Sequence, residues 1–223
     1  LIEFLQKCGA KIEPQTDGSL LVQGRARLSG CYHTVLPDRI EAATYLAAAA
    51  ITGGSITVHT CPSHLAAPMA VLRRMGCYIQ TEEHSITLRA PERLTGAGSI
   101  VTLPYPGFPT DLQAIFMALA AAAEGYATVT ETVFPRRWAH VEELRRMGAD
   151  ITVAGNCAVI RGVPLTGAAV TCTDLRAGAA VALAALATAG ESTVTALSHI
   201  ERGYADFVPT LRTLGADITI TEV

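Results

Sequence analysis

The chain has 223 residues, half of them hydrophobic but only 5% aromatic, with 17% charged and a net charge of -3. That length can bury a sizeable core, which must be built largely from Ala, Val, Leu and Ile. The balance of charge gives no general attraction to nucleic acid or an anionic membrane, so any anion has to be recognised locally. The six cysteines (Cys8, Cys31, Cys61, Cys77, Cys157, Cys172) never form a C-x-x-C pair, which argues against zinc and a disulfide framework and for reduced cytosolic thiols.

In chain order, a helical pattern over Leu1, Ile2 and Leu5 stops at Gly9 and leads to a strand at Ala10-Lys11-Ile12, so the chain reads as a piece of a longer one. Ser19-Leu20-Leu21-Val22 alternates as a strand and runs into Leu28-Ser29-Gly30. Pro37-Asp38-Arg39-Ile40-Glu41 then opens a helix over Ala42 to Ala50, and Gly54-Ser55-Ile56-Thr57-Val58 follows as a strand. Cys61-Pro62-Ser63-His64 stands at the next helix start, where capping or packing explains the Cys and His better than catalysis does. Leu72 to Gly76 turns into Cys77-Tyr78-Ile79, followed by Ser85-Ile86-Thr87-Leu88 and Leu94-Thr95-Gly96.

The same series then repeats. Phe108-Pro109-Thr110-Asp111-Leu112-Gln113 opens an alanine-rich helix, with Thr110 or Asp111 expected as its cap, and Gly125-Tyr126-Ala127-Thr128-Val129 follows. Leu144 to Gly148 turns into Ala149-Asp150-Ile151, then Cys157-Ala158-Val159-Ile160 and Leu165-Thr166-Gly167. A third copy has Thr173-Asp174-Leu175-Arg176 before Ala177 to Ala187, Gly190-Glu191-Ser192-Thr193-Val194, and Leu211 to Gly215 leading to an expected strand at Ala216-Asp217-Ile218. Each unit reads strand, helix, strand, helix, strand, strand over roughly 65 to 75 residues, far longer than a solenoid repeat.

Strands with one apolar face and helices apolar on most sides predict an α/β architecture with helices inside and sheets outside. Three βαβαββ units would close around a pseudo-threefold axis, with Leu46, Leu119 and Leu183 filling the centre between small residues. The expected units are residues 35–100, 101–168 and 169–223 of one domain, preceded by a separate segment at 1–34. Leu20 to Val35 is expected to supply the strand that completes this domain. The alanine-rich runs are too short to span a bilayer, which predicts a soluble protein.

Leu36-Pro37-Asp38-Arg39-Ile40-Glu41-Ala42, Phe108 to Gln113, Glu131-Thr132-Val133-Phe134 with Arg137 and His140, Met147-Gly148-Ala149-Asp150, Thr173 to Ala177 and His199-Ile200-Glu201-Arg202-Gly203-Tyr204 are six ordered motifs. Together they resemble the C-terminal half of the UDP-N-acetylglucosamine enolpyruvyl transferase family, within the EPSP synthase superfamily. The resemblance implies two inside-out α/β barrel domains facing across a cleft, with residues 1–34 the tail of the last repeat of an N-terminal domain. It also implies a cytoplasmic enzyme of peptidoglycan synthesis that moves the enolpyruvyl group of phosphoenolpyruvate to the 3'-hydroxyl of UDP-N-acetylglucosamine and releases phosphate, needing no cofactor or metal. The proton donor, a Cys or Asp on a mobile loop, and an essential Lys belong to the N-terminal domain in that family.

Two departures from the family pattern are Arg136-Arg137-Trp138-Ala139 before His140, where Arg-Phe-Met-His is usual, and Glu201, where Asp is usual. The resemblance makes Asp111 the base and sugar-hydroxyl binder, gives Arg137 and Arg176 the carboxylate of phosphoenolpyruvate, and gives Arg202 its phosphate. Val133, through its backbone, and Phe134 would contact the nucleotide sugar, and Asp174 would help organise the site. Read from the residues alone, an aspartate at each of these helix starts is an ordinary cap and a lone arginine an ordinary solvated side chain. A guanidinium can nonetheless hold a carboxylate or phosphate through two parallel hydrogen bonds at any working pH. The competing reading is a non-catalytic binding or structural domain on the same scaffold. The two readings part on whether Asp111, Arg137, Arg176 and Arg202 meet at one face.

Overall fold

The computed structural model describes residues 1–221, and the chain divides into two compact units that part between Pro37 and Asp38. Residues 222 and 223, the end of the third expected unit, lie outside the described residues. The first compact unit has a short helix α1 (Ile2–Lys7) and an antiparallel hairpin of β1 (Lys11–Pro14) and β2 (Leu20–Gln23), with Ile12 opposite Val22. The thiols of Cys8 and Cys31, both free, approach to 3.4 Å within this unit.

The second unit contains α2 (Arg39–Ile51), β3 (Ser55–His59), α3 (Ala66–Arg74), β4 (Tyr78–Thr81), β5 (Ser85–Arg89), β6 (Gly98–Val101), α4 (Gln113–Ala122) and β7 (Tyr126–Thr130). It continues with α5 (Ala139–Arg146), β8 (Asp150–Ala154), β9 (Cys157–Arg161), β10 (Ala169–Thr171), α6 (Leu175–Leu186), β11 (Thr193–Thr195), α7 (Ser198–Glu201) and α8 (Phe207–Thr213). The alanine-rich helices α2, α4 and α6 pack on one another, and Leu46, Leu119 and Leu183 are completely buried among them. Small side chains let the helix backbones approach closely, so a few leucines fill the remaining space.

Each of these helices is covered by strands: α2 by β3 and β5, α4 by β7 and β9, α6 by β10. The strands turn one row inward and the other to solvent, as with buried Ala158 and Ile160 against exposed Val159 on β9. The middle sheet has the order β6-β7-β9-β8, with β6 and β7 parallel across the α4 crossover and the other pairs antiparallel. The preceding sheet, β3-β5-β4, repeats this order without its first strand. The third has only β10 and β11, parallel across α6.

Four Leu-x-x-x-Gly turns end helices in the same way. The glycines Gly9, Gly76, Gly148 and Gly215 have φ of 95°, 96°, 88° and 102°, and the next residue's N–H donates back to the carbonyl of Leu5, Leu72, Leu144 or Leu211. Glycine is favoured because a side chain is strained in that left-handed conformation. A side chain one residue past each leucine then bonds the extended stretch that follows, a strand in the first three cases: Gln6, Arg73, Arg145 and Arg212 donate to the carbonyls of Ile12, Ile79, Ile151 and Ile218 at 2.6 to 3.4 Å. The repetition seen in the sequence is thus a repeated hydrogen-bond pattern.

Two expectations are corrected. Leu20 to Val35 does not add a strand to the second unit: Leu20–Gln23 is taken by its local hairpin, residues 24–38 hold no strand, and β3 pairs only with β5 among the described residues. Ala216-Asp217-Ile218 likewise forms no strand: the equivalent β4 and β8 are each paired with the strand that follows them, β5 or β9, and residues 216–218 have no strand partner among the described residues.

The Leu-x-Gly turns also differ in surroundings. A Cβ on Gly96 would overlap the carbonyl oxygen of Tyr126, and one on Gly167 that of Glu191, whereas one on Gly30 would meet no described atom within 4 Å beyond its chain neighbours. Gly96→Ala and Gly167→Ala are therefore expected to destabilise the protein by about 2 kcal/mol or more, since backbone has to move to relieve the overlap. Gly30→Ala should be close to neutral; urea denaturation of the three variants decides it, and equal losses would contradict this packing.

Candidate functional site

The starts of α4 and α6 line the site, and one of them breaks the capping rule that the start of α2 also keeps. Asp38 caps α2, accepting from the N–H groups of Ile40 at 2.7 Å and Glu41 at 3.3 Å. Asp174 caps α6, accepting from Arg176 and Ala177, both at 2.8 Å. Neither Thr110 nor Asp111 caps α4, contrary to expectation: a 3-10 turn over Thr110–Leu112 precedes the helix, and neither it nor the helix receives a side-chain cap. The carboxylate of Asp111 is thereby left to face two guanidinium groups.

Asp111 Oδ1 lies 3.1 Å from Arg137 Nη1 and 3.4 Å from Arg176 Nε. Arg137 also donates to Thr110 Oγ1 at 3.0 Å, and its guanidinium sits over the Phe134 ring at 5.0 Å. Arg176 Nη1 donates to the Tyr204 hydroxyl at 3.1 Å. That hydroxyl meets Thr44 Oγ1 at 2.9 Å, and Thr44 donates to the Ile40 carbonyl at 2.8 Å. The chain of donors Arg176, Tyr204, Thr44 and the Ile40 acceptor ties the α6 arginine to α2 and satisfies a phenol that is almost fully buried.

Asp111, Arg137, Thr173, Asp174, Leu175, Arg176, His199 and Arg202 line one open cleft of about 530 Å³. The acid and the three arginines singled out by sequence therefore meet at one face, together with Asp174. Arg202 enters no ion pair among the described residues, while Arg136, the neighbour of Arg137, is exposed and is not among the residues lining the cleft. Val133 and Phe134 lie on the adjoining loop, largely exposed, and are not part of the cleft wall. Three guanidinium groups beside the uncapped start of α4 make the cleft suited to a small multivalent anion.

Sequence reasoning missed the supports of this arrangement. Glu131 is fully buried, and its carboxylate accepts from Thr102 Oγ1 at 2.7 Å, Thr110 Oγ1 at 2.9 Å, and the N–H groups of Val133 and Phe134 at 2.8 and 2.9 Å. Glu131, His199 and Tyr204 all stood inside recognised motifs without a role of their own, and a buried acid in a loop carries no periodic signal that would have marked it. Cys61 and His64 stay outside the cleft, Cys61 meeting Ser63 Oγ at 3.2 Å and His64 packing edge-on against Tyr105. Among the described residues no cluster of His, Cys, Asp and Glu could hold a metal ion, and no helix is long and apolar enough to cross a membrane.

The fold and the site define an α/β domain with an open, arginine-lined cleft beside the starts of α4 and α6. The chain belongs to the EPSP synthase (3-phosphoshikimate 1-carboxyvinyltransferase) family, whose model matches residues 1–211. It is similar to the UDP-N-acetylglucosamine 1-carboxyvinyltransferases of Magnetococcus marinus (48% identity over 98% of this chain and 52% of that protein) and Finegoldia magna (48% identity, 100% and 53%). The chain thus spans about half the length of the curated relatives it matches. Among solved structures, the enolpyruvyl transferase NikO from Streptomyces tendae superposes with a TM-score of 0.87 at 28% identity, over 98% of this chain and 53% of that one. EPSP synthase from Acinetobacter baumannii shares the fold at a TM-score of 0.76 and 19% identity, over 99% and 55%.

His140, on α5 just after the Arg137 loop, is buried with Nε2 3.2 Å from Met117 Sδ. Burial, helped by the Arg137 charge against an opposing effect of Asp174, holds its pKa down at about 4. The folded protein thus keeps this imidazole neutral where the unfolded chain takes up a proton. Stability from this source is present above the ordinary histidine value of 6.5 and is lost as pH falls towards about 4. Urea denaturation from about pH 7 to 4 should show the wild type losing about 3 kcal/mol more than His140→Leu; parallel profiles would remove the assignment.

Proposed function

We propose that this chain is the C-terminal half of an enolpyruvyl transferase acting in the cytoplasm on phosphoenolpyruvate and UDP-N-acetylglucosamine, with an N-terminal domain closing the site. The observation that carries the reading is the convergence of Asp111, Arg137, Arg176 and Arg202 on one cleft. The relatives matched over half their length, named UDP-N-acetylglucosamine 1-carboxyvinyltransferases, support the reaction class and the sugar-nucleotide acceptor. Packing of α2, α4 and α6 beneath sheets of shared strand order supports the three-repeat, inside-out barrel.

In this reading the sugar 3'-hydroxyl adds to the substituted carbon of the enol phosphate while the methylene carbon takes up a proton, and phosphate then leaves the substituted carbon as the new methyl group gives up a proton to restore the double bond. Asp111 takes the hydroxyl proton, a role open to it because no backbone N–H at the start of α4 occupies its carboxylate. Arg137 and Arg176 each turn part of a five-donor fork towards Asp111 and keep further N–H groups for the substrate carboxylate. Arg202 holds the phosphate and stabilises it as it departs. Asp174 fixes the backbone from which Arg176 projects. Phe134 and the Val133 carbonyl contact the nucleotide sugar, the Val133 N–H being occupied by Glu131. The proton for the methylene carbon comes from the other domain, so the isolated half is inactive.

Turnover of isotope-labelled phosphoenolpyruvate by the full-length protein tests this. The expected result is labelled enolpyruvyl sugar nucleotide, lost by about a hundredfold or more in Asp111→Ala and absent with residues 1–223 alone. No product from the full-length protein, or an undiminished rate in Asp111→Ala, would favour a non-catalytic binding domain.

A further inference from the structure

We infer that Glu131 is a positioning residue for phosphoenolpyruvate binding, acting through the Thr110 hydroxyl on Arg137; the inference rests on the proposed transferase reading. Glu131 follows β7, where the chain leaves the sheet for the loop that carries Arg137. It is completely buried and has no ion-pair partner among the described residues. A buried carboxylate is costly unless its oxygens are well supplied with donors, and here four are supplied from three segments of chain. The backbone around it is fixed as well: Glu131 N–H donates to the Asn156 carbonyl at 2.8 Å, and Thr132 N–H donates to Thr102 Oγ1 at 2.8 Å.

The direction of one of these bonds matters for the cleft. A guanidinium only donates, so the Thr110 hydroxyl accepts from Arg137 and gives its single proton to Glu131 Oε2. Its lone pairs then face away, and Arg137 Nη1 donates into them at 3.0 Å while also reaching Asp111 at 3.1 Å. Arg137 is only partly buried, and stacking on the exposed Phe134 ring would not by itself fix its donors. The buried acid therefore aligns the guanidinium without touching the cleft.

Glu131→Gln tests the polarity and changes little else. Its carbonyl can still accept from Val133 and Phe134, but its amide N–H₂ would face Thr110 and force the hydroxyl proton towards Arg137. In the full-length protein the KM for phosphoenolpyruvate should rise about tenfold, the factor associated with losing one charge-assisted hydrogen bond, with the KM for UDP-N-acetylglucosamine within about twofold. Thr110→Val should reproduce this, Thr110→Ser should not, and combining Glu131→Gln with Thr110→Val should add nothing further. Thr110→Val and Thr110→Ser decide the matter if Glu131→Gln does not fold. An equal rise in both KM values, or none, overturns the inference. Should the wild type transfer no enolpyruvyl group, the transferase reading falls, and labelling of Arg137 by phenylglyoxal still decides the positioning: faster labelling in Glu131→Gln and Thr110→Val than in wild type supports it, and equal labelling rejects it.

Discussion

The site depends on a carboxylate that the helix beneath it does not use. Asp38 and Asp174 close their side chains onto the first N–H groups of α2 and α6, which is what an aspartate at a helix start ordinarily does. Asp111 lies within the 3-10 turn that runs into α4, and its carboxylate accepts none of the first N–H groups of that helix. It is stabilised by Arg137 and Arg176 from the two following segments of chain. One oxygen atom thus joins three parts of the sequence, and the cleft lies where they meet. A capped Asp111 would leave two like charges facing each other with nothing between them, an arrangement that costs free energy in a partly desolvated site.

Behind that oxygen stand two hydrogen-bond relays of different character. On one side Arg176 is backed by a neutral phenol, whose ionisation is made harder by burial, and by a threonine on α2. On the other, Arg137 is backed by a threonine and a buried carboxylate. Both relays run to elements in the hydrophobic core, so the guanidinium groups gain precision from packing they do not share in directly. This is how a scaffold of small apolar residues, with few charges to deploy, can concentrate positive charge at one place.

The repeats show what duplication keeps and what it lets go. The turn of glycine, returning N–H and side-chain bond to the stretch that follows recurs four times, because each needs only residues close in sequence. Sheet size varies from two to four strands among the copies, because a strand persists only beside a partner. The glycine after Leu94 and Leu165 is demanded by the passing backbone of the next copy, while the one after Leu28 has no such neighbour.

What the sequence determined by itself was local and periodic: helix starts at Asp38 and Asp174, the glycine turns, the alternating strands, and the presence of buried leucines among alanines. The motifs around Asp111, Arg137, Arg176 and Arg202 also named the residues of the cleft in advance. What only tertiary structure decided was which donors each side chain would meet. The same aspartate at the same kind of helix start is a cap in two copies and an ion-pair acceptor in the third, and nothing within a few residues distinguishes them. Likewise Glu131 stood in a motif without a role of its own, residues 20–35 were expected to complete the sheet of the second unit, and residues 216–218 to form a strand. A hydrogen bond between residues far apart in the chain is fixed by how the intervening elements pack, and packing is a property of the whole domain, not of any short stretch within it.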